Sequence, residues 1–241
     1  MSRDLPMAPP APTPPVHGPT LLQMLRAAPW FAGLDAQQRG RVETEVCERA
    51  VAGGAFVARR GSTVDHWMGV IEGLLKMSNT SPDGKLATFA GMPDGAWFGE
   101  GTLLKNETRK YDVIALRDTR VACMPRATFE FLLGGSLSFN RFLLDHLNER
   151  LGQFIAMVEY DRLLDPDARV ARCLGSMVHP LLYPGNGNSL RIGQEEIGNL
   201  AGVSRQRVNQ ALQRLETEGL LAIEYGGIRI VDLDGLRGFG A

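Results

Sequence analysis

Apolar positions change their period several times along the chain, and each change predicts a different element. From Leu21 to Val46 they recur at helical spacing through Leu21, Leu22, Leu25, Trp30, Phe31 and Leu34, with Asp35 placed as an N-cap, which predicts two short helices. Between Val51 and Arg126, ten glycines from Gly53 to Gly101 separate short runs such as Trp67–Ile71, Leu74–Met77 and Val113–Leu116. Short strands punctuated in this way predict an antiparallel sandwich or roll. Ser81-Pro82-Asp83-Gly84 reads as one of its turns, because Pro fixes φ and Gly supplies a positive φ. From Ser136 to Leu164 the period is helical again, and Leu144, Leu147, Leu151, Phe154 and Val158 alternate spacings of three and four, as in a heptad seam. The same spacing also suits a helix that packs only on its own roll. Asp165-Pro166 ends that helix, since the residue before Pro is steered away from the α region. The remainder reads helix, short strand, helix, turn, helix and hairpin, with Gly226-Gly227 as a type I′ turn between Ile223-Glu224-Tyr225 and Ile228–Val231. The predicted class is α+β: a tail (1–20), a β-roll domain (21–135), a long helix (136–164) and a C-terminal domain (165–241).

The most informative stretch lies just before the hairpin. Glu195 to Ala201 forms a short helix, Gly202-Val203 a tight turn, and Ser204 caps a second helix from Arg205 to about Glu218 that stops at Gly219. Ile197, Leu200, Val203, Val208, Leu212 and Leu215 are available to pack inward, the pattern of a helix-turn-helix with a hairpin wing. The polar positions then include Ser204, Arg205, Gln206, Arg207, Asn209 and Gln210. Arg can bond guanine bidentately, and Asn or Gln can bond adenine, so these are candidate contacts to double-stranded DNA. Arg205, Arg207 and Arg214 occur between Gly198 and Leu215 without an acid, a local phosphate-facing patch. A winged helix that binds protein instead is the competing reading.

Composition narrows the classes further. The chain is 44% apolar and 22% charged with a net charge of −1, the balance of a globular protein without a global basic field. No apolar run approaches the roughly 18 residues of a membrane span, and no signal-peptide pattern opens the chain, so a cytoplasmic protein is expected. Half of the fourteen prolines fall in the first twenty residues, which reads as a flexible spacer or a polyproline II ligand. Cys47, Cys123 and Cys173 are too few and too scattered for a disulfide framework or a metal knuckle, and read as buried free thiols. His17, His66, His146 and His179 fall in separate segments, and no nucleophile elbow, P-loop or zincin motif occurs, so neither a resident metal nor an enzyme is expected.

One further motif lies within the roll. Trp97-Phe98-Gly99-Glu100-Gly101-Thr102 runs from a strand into a helical turn, and Arg109-Lys110 follows before the next strand. Glycines permit close backbone approach and an arginine clamps phosphate, although a glycine-lined turn beside a surface Arg accounts equally for the pattern. Taken with Gly61-x-x-x-Asp65, Trp67, Val70 and Gly73, and with Glu196-Ile197-Gly198 through Ser204-Arg205, the chain resembles the Crp/Fnr family of bacterial transcription regulators over residues 21 to about 235. That resemblance implies a cyclic-nucleotide-binding-like antiparallel β-roll, a long dimerisation helix and a winged helix-turn-helix. It implies a homodimer that binds DNA, with RNA polymerase as a further partner. It also implies an effector held by Gly99, Glu100, Gly101, Thr102, Arg109 and Lys110, with Glu100 on a ribose hydroxyl and Arg109 on the cyclic phosphate. Lys110-Tyr111-Asp112 departs from the small residues that usually follow the arginine, and Phe154 and Ile155 stand where a Thr-Ser pair reads adenine. Cyclic AMP, cyclic di-GMP and a ligand-independent, occluded pocket therefore all stay open, and the iron–sulfur cysteine pattern of some members is absent.

Overall fold

The computed structural model describes residues 18–81, 83, 84, 86–163 and 165–240; most of the Pro-rich tail and Pro82 lie outside them. The chain opens with α1 (Leu21–Ala27), α2 (Pro29–Ala32) and α3 (Ala36–Glu45). Three helical segments replace the expected two because Pro29 starts a new helix after Ala28 has turned extended. Asp35 caps α3, accepting from the Gln38 amide at 2.8 Å.

The roll follows: β1 (Cys47–Val51), β2 (Phe56–Ala58), β3 (His66–Glu72), β4 (Leu74–Thr80), β5 (Leu86–Pro93), β6 (Trp97–Phe98), α4 (Glu100–Lys105), β7 (Asp112–Ala115) and β8 (Thr119–Pro125). Two four-stranded antiparallel sheets, ordered β1-β8-β3-β6 and β2-β7-β4-β5, face one another. Alternation along the first sheet divides the core. Trp67, Ile71, Trp97 and Met124 point to the helices, whereas Met68, Val70, Phe98 and Val121 point to the second sheet. With both faces covered, β3 is a continuous apolar run rather than an alternating one. Cys123 is buried here, but Cys47, its neighbour across β1 and β8, is exposed, contrary to the expected burial.

Helix α5 (Arg126–Gly135), which the sequence pattern missed, leads into α6 (Leu137–Leu163). Phe139 and Phe142 anchor the start of α6 among Trp30, Trp67 and Trp97, whose ring centroids lie 4.3 to 5.4 Å apart. The C-terminal half contains α7 (Pro166–Ser176), β9 (Ser189–Leu190), α8 (Gln194–Ala201), α9 (Arg205–Thr217), β10 (Leu221–Glu224), β11 (Gly227–Ile230) and a final α10 (Leu233–Gly238). The hairpin turn is Tyr225-Gly226, not Gly226-Gly227: Glu224 pairs with Gly227, and only Gly226 has a positive φ, so the turn is not type I′. Gly227 is required instead by close packing, since a Cβ there would meet the Leu190 carbonyl oxygen of β9 at 2.5 Å.

The halves touch through apolar contacts, with Leu74 of β4 in the C-terminal core and Leu182 and Tyr183 in the core of the roll, and through polar ones. Arg117 pairs with Glu196 at 3.3 Å, Arg191 with Asp94 at 2.7 Å, and the Thr88 hydroxyl donates to the Asn199 carbonyl at 3.2 Å. No described helix is long and apolar enough to cross a membrane.

Candidate functional site

A cavity of about 240 Å³ opens between the roll and α6. Met77, Phe98, Leu147 and Phe154 form its apolar wall; Glu100, Thr102, Tyr111 and Arg150 supply polar atoms. Gly99 stands at the N-cap of α4 with φ of 97°, a conformation that a side chain would strain, and so turns Glu100 inward. Glu100 is buried: Trp67 Nε1 donates to its Oε2 at 3.4 Å, and His146 Nδ1 lies 3.6 Å from its Oε1. Burial opposes ionisation of this carboxyl, but His146 and the charge of Arg150 outweigh it and hold its pKa below the ordinary value.

Arg109 is 2% exposed, and its Nε and Nη1 have no hydrogen-bond partner among the described residues. It does not itself line the cavity. Tyr111 does, with its ring centroid 5.8 Å from the guanidinium carbon of Arg109. Burial and the nearby Glu100 charge raise the Tyr111 pKa, so the phenol stays protonated. Lys110 lies outside, at the rim, where Glu107 bridges it at 2.7 Å and Lys105 at 2.8 Å. Gly101, Thr102, Glu100 and Lys110 thus share the cavity, Gly99 shapes it, and Arg109 sits behind it. The pattern of sequence noted Tyr111 only as a departure from the small residues that usually follow the arginine, and missed His146 and Arg150. The last two fall one helical turn apart, with Phe154 one turn further along α6, a shared face that could have singled them out.

The predicted seam runs along the border of the cavity, and all five of its residues keep some exposure. Leu147 and Phe154 turn to the cavity. Leu144, Leu151 and Val158 are each more than half exposed, as are Leu137 and Ile155, so a heptad stripe of Leu137, Leu144, Leu151 and Val158 faces outward.

At the other end, Gly202 has φ of 66° and Ser204 caps α9, accepting from the Arg207 amide at 3.3 Å. Gly198 lets the helices cross closely, since a Cβ would meet the Val203 carbonyl oxygen at 2.8 Å. Arg205 and Gln206 are exposed without a hydrogen bond or ion pair among the described residues; Gln210 is exposed but accepts from Arg207 Nη1 at 3.3 Å. Asn209 is partly buried and its Oδ1 accepts from Gln194 at 3.1 Å. The arginine patch is less open than the linear sequence suggests, because Asp167 of α7 takes Arg207 at 3.0 Å and Arg214 at 3.4 Å.

Residues 48–135 match the family described as cyclic nucleotide-binding domain, and residues 168–239 the Crp-like helix-turn-helix domain. The cyclic AMP receptor protein of Thermus thermophilus is 25% identical over 206 residues, covering 86% of this chain and 94% of that protein. The transcriptional regulator SdrP of the same organism is 27% identical over 170 residues, 70% of this chain and 80% of that one. The solved structure of FixK2 from Bradyrhizobium japonicum shares the fold, with a TM-score of 0.64 and 20% identity over 81% of this chain and 98% of that one. A nucleotide-binding-type roll joined to a DNA-binding winged helix defines a transcription regulator. The chain belongs to the Crp/Fnr family of such regulators.

The rim gives a direct test. Hydrogen bonds from Lys105 and then Lys110 lower the Glu107 pKa from 4.5 to about 2. A depressed carboxylate stabilises the fold above its unfolded pKa and loses that contribution as pH falls through its folded pKa, so the rim is intact above pH 4.5 and opens towards pH 2. NMR titration of the Glu107 carboxyl should place its midpoint near pH 2, and Lys110→Met should move it upward; an unmoved midpoint would remove Lys110 from the pair.

Proposed function

We propose that the chain acts as a homodimeric, sequence-specific transcription regulator whose roll cavity takes a small anionic effector, with a cyclic mononucleotide as the best fit. The buried Arg109 guanidinium with unpartnered Nε and Nη1 carries this reading. Unpartnered donors on a buried cation are costly, and an anion such as a cyclic phosphate would supply both charge and acceptors. Glu100, held ionised, is an acceptor for a sugar hydroxyl, while Phe154 and Phe98 offer apolar surface to a base. A volume of about 240 Å³ lies just below the usual ligand-pocket range of about 300–1,000 Å³, which favours one nucleotide over a cyclic dinucleotide.

The occluded form has an observation of its own, because Tyr111 stands between the cavity and Arg109. An effector reaches the guanidinium only if that ring moves. Outward-facing Leu144, Leu151, Ile155 and Val158 would pair with a second copy, and the two α9 helices would then meet successive major grooves. Arg205 and Gln206 are the free base-reading groups; Arg207 and Arg214 would contribute less charge while Asp167 holds them.

Titration calorimetry with cyclic AMP on the parent, Arg109→Ala and Tyr111→Ala tests the effector. Binding is expected to vanish in Arg109→Ala and to strengthen in Tyr111→Ala; heat that survives unchanged in Arg109→Ala would place the ligand elsewhere. For DNA, Arg205→Ala should cost about 1–3 kcal/mol on a selected site and relax preference at one base pair, whereas uniform weakening on all sequences would make Arg205 a phosphate contact.

A further inference from the structure

The segment of residues 177–188, between α7 and β9, starts in the C-terminal core with Met177 and Val178 and then buries Leu182 and Tyr183 in the core of the roll, with Tyr183 2% exposed. A tyrosine buried this deeply needs a partner for its hydroxyl. That partner is Arg150, whose Nη1 donates to the Tyr183 oxygen at 2.7 Å, while the hydroxyl donates to Gln153 Oε1 at 3.2 Å. Arg150 is also part of the cavity wall, and its charge helps to keep Glu100 ionised.

Other bonds tie the same segment down at both ends. Gln153 Nε2 donates to the Ser176 carbonyl at 2.9 Å, and His179 Nε2 lies 3.2 Å from Glu149 Oε2. At the far end, the Ile230 amide of the wing strand donates to the Asn188 carbonyl at 2.7 Å. One guanidinium therefore faces the cavity on one side and, on the other, holds a plug that runs directly into the wing.

We propose that the Arg150–Tyr183 hydrogen bond is the link by which the cavity and the DNA-binding half sense each other, with Tyr183 as the residue that positions Arg150. An anion that draws on the Arg150 donors alters its hold on Tyr183, and by linkage any shift of the plug alters the cavity's affinity for that anion. The proposal rests on the anion-binding reading of the cavity, and its test separates the two.

Hydrogen exchange of the full chain, followed over residues 177–188, supplies that test in the parent, Tyr183→Phe, Arg150→Met and the double variant. Without ligand, each single substitution should speed exchange of the plug about tenfold, and the double variant should exceed neither. An unchanged rate in Tyr183→Phe, which keeps the ring in the core and so reports even if Arg150→Met does not fold, would overturn the link. With cyclic AMP as the probe, plug exchange should change in the parent; Tyr183→Phe should still bind by calorimetry but lose that change. A Tyr183→Phe protein whose plug responds to cyclic AMP as fully as the parent's would also overturn it. Should the parent bind no cyclic AMP, the effector reading fails, and the ligand-free rates alone decide the link.

Discussion

The packing of α6 against three tryptophans is the constraint on which the other arrangements depend. Phe139 lies among Trp30, Trp67 and Phe129 with centroid separations of 5.6 to 5.9 Å, fixing the rotation of the helix on the roll. Aromatic pairs in edge-to-face geometry tolerate little rotation, and a close-packed interior offers no looser alternative. Once the first turns are fixed, helical geometry sends His146 and Arg150 to the roll and cavity and Leu144, Leu151 and Val158 to the outside, with the half-buried Leu147 and Phe154 along the border between them. A cavity wall and an apolar stripe are thus two faces of one rigid rod.

Charge buried beside that rod underlies the anion-binding reading of the cavity. Arg109 and Arg150 are both buried close to a single buried carboxylate, Glu100, and His146 adds a ring whose nitrogens have no hydrogen-bond partner among the described residues. Buried ions survive only when paired, so an unbalanced pair of guanidiniums is a standing electrostatic demand. Tyr111 meets part of it with its own oxygen beside Arg109. On the proposed reading an anionic effector would compete with this phenol for one cation.

Local patterns in the sequence predicted the local structure. The helix-turn-helix was legible because capping Ser204, turn residue Gly202 and the inward apolar set all lie within about twenty residues. The Glu100 cassette was legible as a motif, but its partners were not. Glu100 meets His146 and Arg150 meets Tyr183 only through tertiary folding, and no spacing rule joins them. Likewise Asp167 neutralises arginines some forty residues later in the chain, so a stretch without acids still made a partly paired surface. The alternating spacing of the five seam residues of α6 revealed an apolar helix without saying which of them bordered the cavity, and Leu147 and Phe154 do. In the wing, the Gly-Gly signal gave the hairpin but misplaced its turn by one residue, because Gly227 serves contact with β9.

The central claim is that α6 presents one face to the cavity and another to a second copy of the chain. Cysteine cross-linking tests it most directly, with Leu151→Cys and His146→Cys compared in a background where exposed Cys47 is replaced by Ser. The two positions lie about 140° apart around the helix, and His146 is 1% exposed. Under mild oxidation Leu151→Cys should form a covalent dimer, while His146→Cys, on the side that faces the roll, should stay monomeric on a denaturing gel. Equal cross-linking of the two, or cross-linking through residue 146 alone, would contradict the division of faces and the account built on it.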